Sequence, residues 1–166
     1  MSMKIEDDFL DQKHFDKLQK TIMGDYFTWL FRDFVTDKEN KKDPNFQFIH
    51  VVYYKSVVDP ITMQVLEPVL QKIGVQGLHR IKINLQTQTS KIIEGEFHTD
   101  IHEDSDDGWL TAILYMNTNN GYSKFEDGTV VESVANRMVT FPAKRRHKGS
   151  SCTDEKRRVV INFNYT

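Results

Sequence analysis

His98 and Asp100 are two residues apart, so on an extended segment their side chains point to the same side. An imidazole nitrogen and a carboxylate oxygen delivered together suit Fe(II), Mn(II) or Zn(II), and one more ligand completes a facial triad. His147, 47 residues beyond Asp100, is the best third ligand. Three protein ligands leave an octahedral ion open positions for a co-substrate and dioxygen, whereas four favour a closed structural site. The plainer reading stands beside this one, because a His-x-Asp pair near a loop is common and a downstream histidine can arise by chance. The other histidines have ordinary roles open to them. His14 falls in an amphipathic helical stretch, and His50 and His79 fall in or near strand-like runs. His102 could be a ligand or a pocket side chain, but it heads the acidic run Glu103–Asp104–Ser105–Asp106–Asp107, which reads as exposed loop.

The end of the chain supplies a wall for such a site. From Arg157 to Tyr165 the residues alternate: Val159, Ile161, Phe163 and Tyr165 form an apolar face, and Arg158, Val160, Asn162 and Asn164 form the other. One face packs and the other can line a polar pocket. Leu78–Leu85, Thr111–Met116, Thr129–Val134 and Arg137–Phe141 are further strand-like runs separated by Gly, Asn, Asp or Pro turns. On the alternate side of the first of these, Asn84 and Gln86 could reach the pocket. The short basic run Lys144–Lys148 reads as a solvated edge, and Phe141–Pro142 as a strand end and turn that set the direction of His147.

The elements before residue 78 differ in texture. Asp11 suits a helix N-cap, Phe15, Leu18, Ile22 and Tyr26 recur at three- and four-residue steps, and Gly24 can end the helix. Phe9–Phe34 is rich in aromatics, but its acidic residues and the need to cover a sheet favour folded core over a membrane-lying helix. Thr36–Asn45 reads as a surface loop and Phe46–Tyr54 as a strand. A second helix starts at Asp59 and Pro60, carries the stripe Ile61, Val65, Val69 and Ile73, and closes at Gly74, with Pro68 able to bend it. The chain is thus expected to be helical first and β afterwards. The fold class is mainly β with N-terminal helices, a sandwich or rolled barrel with the helices on an outer face. At 166 residues one domain is expected, residues 1–166, with helical support over about 9–75 and a β-rich core over about 78–165.

Composition narrows the partners. Acidic residues (24) nearly cancel basic ones (22), which removes the broad positive field of a backbone-reading nucleic-acid binder. The lone Cys152 cannot form an internal disulfide, and neither a signal peptide nor a membrane-length apolar run is visible, so a cytoplasmic protein is expected. Oligomeric state is left open.

His98–Thr99–Asp100, His147, the basic pair Arg157–Arg158 ten and eleven positions later, and Thr111–Asn117 with Tyr115 together resemble the Fe(II)/2-oxoglutarate-dependent dioxygenases, especially the prolyl-hydroxylase-like branch and related phage proteins. The likeness covers Leu78–Tyr165. It departs at Asn119–Asn120–Gly121–Tyr122, where prolyl hydroxylases often show paired glycines. The resemblance implies a double-stranded β-helix, a cupin-like jelly roll, with Fe(II) on His98, Asp100 and His147, and 2-oxoglutarate and dioxygen as co-substrates. It implies that the far carboxylate of 2-oxoglutarate meets Arg158 and Tyr115, with Ile113 against its methylenes. Asn162 stands four residues after Arg158, like the small polar residue often found four after the family's clamp. Arg157 is the alternative clamp, but parity places it with the packing face. If the phage likeness holds, the compartment is a host cytoplasm.

The function implied is oxidative decarboxylation of 2-oxoglutarate coupled to hydroxylation of a protein or peptide residue such as proline. The alternatives are the same chemistry on a small molecule or nucleobase, or a non-catalytic metal-binding jelly-roll protein. His102–Gly108 is expected to close over the pocket mouth.

Overall fold

The computed structural model describes residues 2–35, 45–101 and 108–166. In chain order the elements are β1 (Lys4–Glu6), α1 (Gln12–Ile22), β2 (Leu30–Arg32), β3 (Gln47–Tyr54), β4 (Val57–Val58), α2 (Pro60–Ile73), β5 (Leu78–Thr87), β6 (Leu110–Tyr115), β7 (Tyr122–Phe125), β8 (Val130–Glu132), β9 (Met138–Pro142), β10 (His147–Gly149) and β11 (Arg157–Tyr165). All the strand pairs are antiparallel. The larger sheet runs β1-β9-β6-β11-β5-β3-β2, with β4 beside β3, and the smaller runs β10-β7-β8. The two open sheets form the jelly roll.

Alternation in the strands produces the layers. Ile81, Ile83, Ala112, Leu114, Val159, Ile161, Phe163 and Tyr165 leave the larger sheet on one side and meet Phe15, Leu18 and Ile22 of α1 and Leu66 and Val69 of α2. Each such buried Leu, Ile or Phe contributes about 1.5–3 kcal/mol relative to exposure. On the other side Ile113, Tyr115, Val139, Phe141 and Val160 pack against Phe125 and Val131 of the smaller sheet. The site lies between the sheets, on this second side.

Both helices start at their expected caps. Asp11 accepts from the His14 backbone N–H at 3.1 Å, and Asp59 accepts from Ile61 and Thr62 at 3.0 and 3.2 Å. Gly74 ends α2 at φ 70°, a left-handed cap that glycine adopts without a Cβ penalty.

Three expectations change. The first half of the chain is not a helical support alone, since β1 pairs with β9 and β3 pairs with β5 inside the larger sheet. Tyr26 is fully exposed rather than continuing the α1 stripe, because α1 ends at Ile22. The α2 stripe is offset: Ile61 is 72 % exposed, while Thr62, Leu66 and Val69 are buried. The Thr62 hydroxyl donates to Asp59, which lets a polar residue take the buried first-turn position. Within the aromatic N-terminal stretch, Phe9 and Leu10 are core, but Leu30 and Phe31 on β2 are exposed. Among the described residues no helix is long and apolar enough to cross a membrane.

Candidate metal centre

β10 begins at His147, and the segment ahead of residue 100 lies against it. His98 and His147 face each other across an antiparallel bridge, exchanging both backbone hydrogen bonds at 3.0 Å. Their rings stand 4.7 Å apart. In each ring Nδ1 meets a backbone carbonyl, Glu96 O at 3.0 Å for His98 and Arg145 O at 3.2 Å for His147. A carbonyl only accepts, so Nδ1 carries the proton and Nε2 keeps its lone pair for a metal. Burial lowers the His147 pKa, with Asp100 pulling the other way, and this favours the neutral ring that a metal requires. Phe141 and Phe125 wall that ring on the sheet side.

Ligand atoms of His98, Asp100 and His147 all lie within 4.8 Å of one another. The buried Asp100 carboxylate has both oxygens engaged. Oδ1 accepts from Arg80 Nη2 at 2.8 Å, and Oδ2 accepts from the Thr111 hydroxyl at 3.2 Å. Asn164 fixes both of these partners: its Oδ1 accepts from Arg80 Nε at 3.0 Å and its Nδ2 donates to Thr111 at 3.0 Å. These residues come from neighbouring positions on β5, β6 and β11, where Asn164 pairs with Arg80 on one side and Thr111 on the other. Burial alone would raise the Asp100 carboxyl, but His147, Arg80, His98 and Lys82 outweigh it and hold it well below the usual range. Two imidazoles whose Nε2 atoms are available to a metal once the rings are neutral, and one ionised carboxylate, make a donor set that fits a divalent ion such as Fe(II).

Beyond the triad, a cleft is lined by Lys82, Asn84 and Gln86 of β5, Ile113 of β6, Ser123 of β7 and Arg158, Val160 and Asn162 of β11. Arg158 is 4 % exposed. It donates through Nε to Ser133 at 2.7 Å and through Nη2 to Ser123 at 3.3 Å, and it lies 5.6 Å from the centre of the Tyr115 ring. The Tyr115 hydroxyl donates to Ser123 at 2.8 Å. Among the described residues no carboxylate pairs with Arg158, so a buried guanidinium has only neutral hydroxyl partners. Arg157 points the other way and donates to Met23 O at 2.7 Å, beside the end of α1.

Gly121 approaches this cluster closely. A Cβ there would meet Arg158 Cδ at 2.6 Å, Ser151 O at 2.7 Å and Asn119 Oδ1 at 2.8 Å.

The structure therefore brings His98, Asp100 and His147 together and turns Ile113, Tyr115, Arg158 and Asn162 to the same inter-sheet space. His50 is engaged elsewhere, with Asp59 and Thr28 O. The basic run is paired rather than merely solvated: Arg145 meets Asp127, Arg146 meets Glu126 and Lys148 meets Glu94, and His147–Gly149 is a strand. His102 and residues 103–107, and with them the closing-loop expectation, lie outside the described residues. Sequence reasoning missed Arg80, Thr111, Ser123 and Ser133, and it placed Asn164 on the pocket-facing side of the last strand without giving it a role. One signal was available, since Arg80, Lys82, Asn84 and Gln86 alternate along β5 as four polar residues on one face.

No family model and no curated protein matches the chain. Solved structures do. A prolyl hydroxylase from Trichoplax adhaerens, solved with a peptide fragment of the oxygen degradation domain of hypoxia inducible factor, aligns over 99 % of this chain and 83 % of its own, with TM-score 0.71 and 12 % identity. A 2OG-Fe(II) oxygenase family oxidoreductase from Burkholderia pseudomallei aligns over 99 % and 85 %, with TM-score 0.66 and 11 % identity. A Pseudomonas putida prolyl-4-hydroxylase aligns over 99 % and 91 %, with TM-score 0.57 and 15 % identity. The chain has the fold of the Fe(II)/2-oxoglutarate oxygenases.

Proposed function

We propose that this chain is an Fe(II)- and 2-oxoglutarate-dependent dioxygenase that hydroxylates an amino-acid residue such as proline. The observation that carries the reading is the pairing of two incomplete groups in one cleft: a His-Asp-His set with free imidazole nitrogens, and a buried Arg158 with no carboxylate partner among the described residues. A desolvated guanidinium is costly until an anion meets it. A short dicarboxylate that chelates a metal at one end and places its other carboxylate at Arg158 satisfies both. The peptide-bound Trichoplax adhaerens enzyme supports a protein or peptide substrate.

His98, Asp100 and His147 would hold the metal. Arg80, Thr111 and Asn164 would keep the Asp100 carboxylate oriented. The far carboxylate of 2-oxoglutarate would take a bidentate pair from Arg158 and hydroxyl protons from Ser123, Ser133 and, on turning from Ser123, Tyr115. Ile113 and Val160 would flank its methylenes, with Asn162 beside them. Burial raises the Tyr115 pKa, so its hydroxyl stays protonated and able to donate. Fe(II) bound there would supply the redox chemistry that couples dioxygen to 2-oxoglutarate. In the overall reaction 2-oxoglutarate, dioxygen and a C–H group become succinate, carbon dioxide and an alcohol.

Succinate formation from 2-oxoglutarate should require Fe(II) and air and should fall to background under nitrogen or with Zn(II), which cannot cycle its oxidation state. Equal turnover with and without oxygen would reject the assignment. Metal binding without succinate under any of these conditions would favour a non-catalytic jelly-roll protein.

Asn164→Leu keeps the branched shape of the side chain but removes both hydrogen bonds that orient the partners of Asp100. Fe(II) affinity is expected to fall about 10–100-fold, the usual cost of losing an outer-sphere partner. A metal titration of the folded variant checks it, and an unchanged affinity would show that Asp100 is positioned without Asn164.

A further inference from the structure

One wall of the cleft carries a charge that the proposed reaction does not use. Lys82 lies on β5 directly beside Asn162 of β11, in the register next to the Arg80–Asn164 pair. Its side chain lines the same cleft as His98, His147 and Arg158. Among the described residues its ammonium makes neither a hydrogen bond nor an ion pair, since Asp100, the acid nearby, is already taken by Arg80 and Thr111. Burial, followed by the repulsion of Arg80, pushes Lys82 down to about 8 against the pull of Asp100, and Arg32 on β2 adds to the repulsion. On either side of Lys82 stand two amides, Asn84 two residues along β5 and Asn162 across on β11, and their buried side-chain oxygens accept no hydrogen bond.

The charges do not balance once the proposed partners are in place. The metal, Arg80, Arg158 and Lys82 together would carry more positive charge than Asp100 and the two carboxylates of 2-oxoglutarate can cancel. Arg80 meets Asp100 and Arg158 would meet the far carboxylate, which leaves Lys82 as the side-chain cation of the described cleft without an anion of its own. A half-buried, unpaired ammonium and two unsatisfied carbonyl oxygens are complementary to a carboxylate and N–H donors carried by one small group.

We propose that the substrate of this site is an amino acid with a free carboxylate, held with its carboxylate on Lys82 and its N–H donors on the side-chain oxygens of Asn84 and Asn162. This rests on the oxygenase reading and narrows it from an amino-acid residue at large to one whose carboxylate is not in a peptide bond, namely a free amino acid or the last residue of a peptide.

The test uses the common L-amino acids, each beside its primary amide, with the protein loaded with Zn(II) and 2-oxoglutarate so that binding is read by calorimetry without turnover. At least one acid should bind about ten- to hundredfold more tightly than its amide, the range for a charge-assisted hydrogen bond. That preference should vanish in Lys82→Met, or in Lys82→Gln if the first variant misfolds. With Fe(II) and air, the same acid should stimulate succinate formation by the wild-type protein, and Lys82→Met should raise its KM by a similar factor while the KM for 2-oxoglutarate moves far less. Equal binding of acid and amide, binding by no acid of the panel, or a Lys82→Met loss confined to 2-oxoglutarate would each overturn the proposal. Failure of the oxygenase reading shows differently, as absence of oxygen-dependent succinate in the wild-type protein with or without amino acids, while the calorimetric preference stands or falls by itself.

Discussion

Alanine at His98 or His147 should lower Fe(II) affinity and iron-dependent turnover by more than about a hundredfold, beyond the cost of losing an outer-sphere partner. Each ring presents a free Nε2 because its Nδ1 is committed to a backbone carbonyl, and no other described histidine or acid joins the set to compensate. Asp100→Ala should show the same loss with a difference. It opens a small space lined by Arg80 and Thr111, two donors that previously held a carboxylate, so added formate or acetate should restore part of the metal binding. Titration of each folded variant with Fe(II) under nitrogen decides the matter. Unchanged stoichiometry and affinity in any of the three would remove that residue from the ligand set.

The second large effect concerns the basic pair. Arg158→Lys should weaken 2-oxoglutarate about ten- to hundredfold at equal iron occupancy, because lysine keeps the charge but cannot present the planar fork that a carboxylate accepts bidentately. Arg157→Lys should stay within about threefold, since Arg157 leaves the sheet on the helix side and caps Met23 O. A larger loss from Arg157→Lys would mean that the clamp sits one residue earlier, and no change from either would dissolve the idea of a clamp here.

The parity of residues 157–165 was legible because β11 is long and sharply alternating, and its two faces separate into the helix-side core and the cleft. β5 could be read for the same reason, and β6 and β9 as short, mostly apolar runs between turns. β10 could not, because three residues among lysines and arginines carry no alternation and are held by pairing with β7. β7 was hidden behind the Asn119–Gly121 turn, and β1 and β2 are too short to show a period. In α2 the hydrophobic pattern misled by one position, since cap chemistry at Asp59 made Thr62 a buried residue and turned Ile61 outward. The Asp100 support could not be seen as a set. Arg80, Thr111 and Asn164 are brought together only by strand pairing, Thr111 standing 53 positions and Arg80 84 positions before Asn164.

The position of β11 governs how the protein must be made. It is the fourth strand of β1-β9-β6-β11-β5-β3-β2, so without it the sheet falls into β1-β9-β6 and β5-β3-β2. During synthesis β5 and β6 leave the ribosome with bare edges, each lacking the partner it will have, and nothing made before residue 157 can join them. Closure of so many distant contacts in one late event makes folding slow and leaves the waiting edges open to pairing with other chains. A pocket whose walls are stitched by β11 therefore cannot form before that strand is made, and crowding of chains still waiting for it lowers the yield.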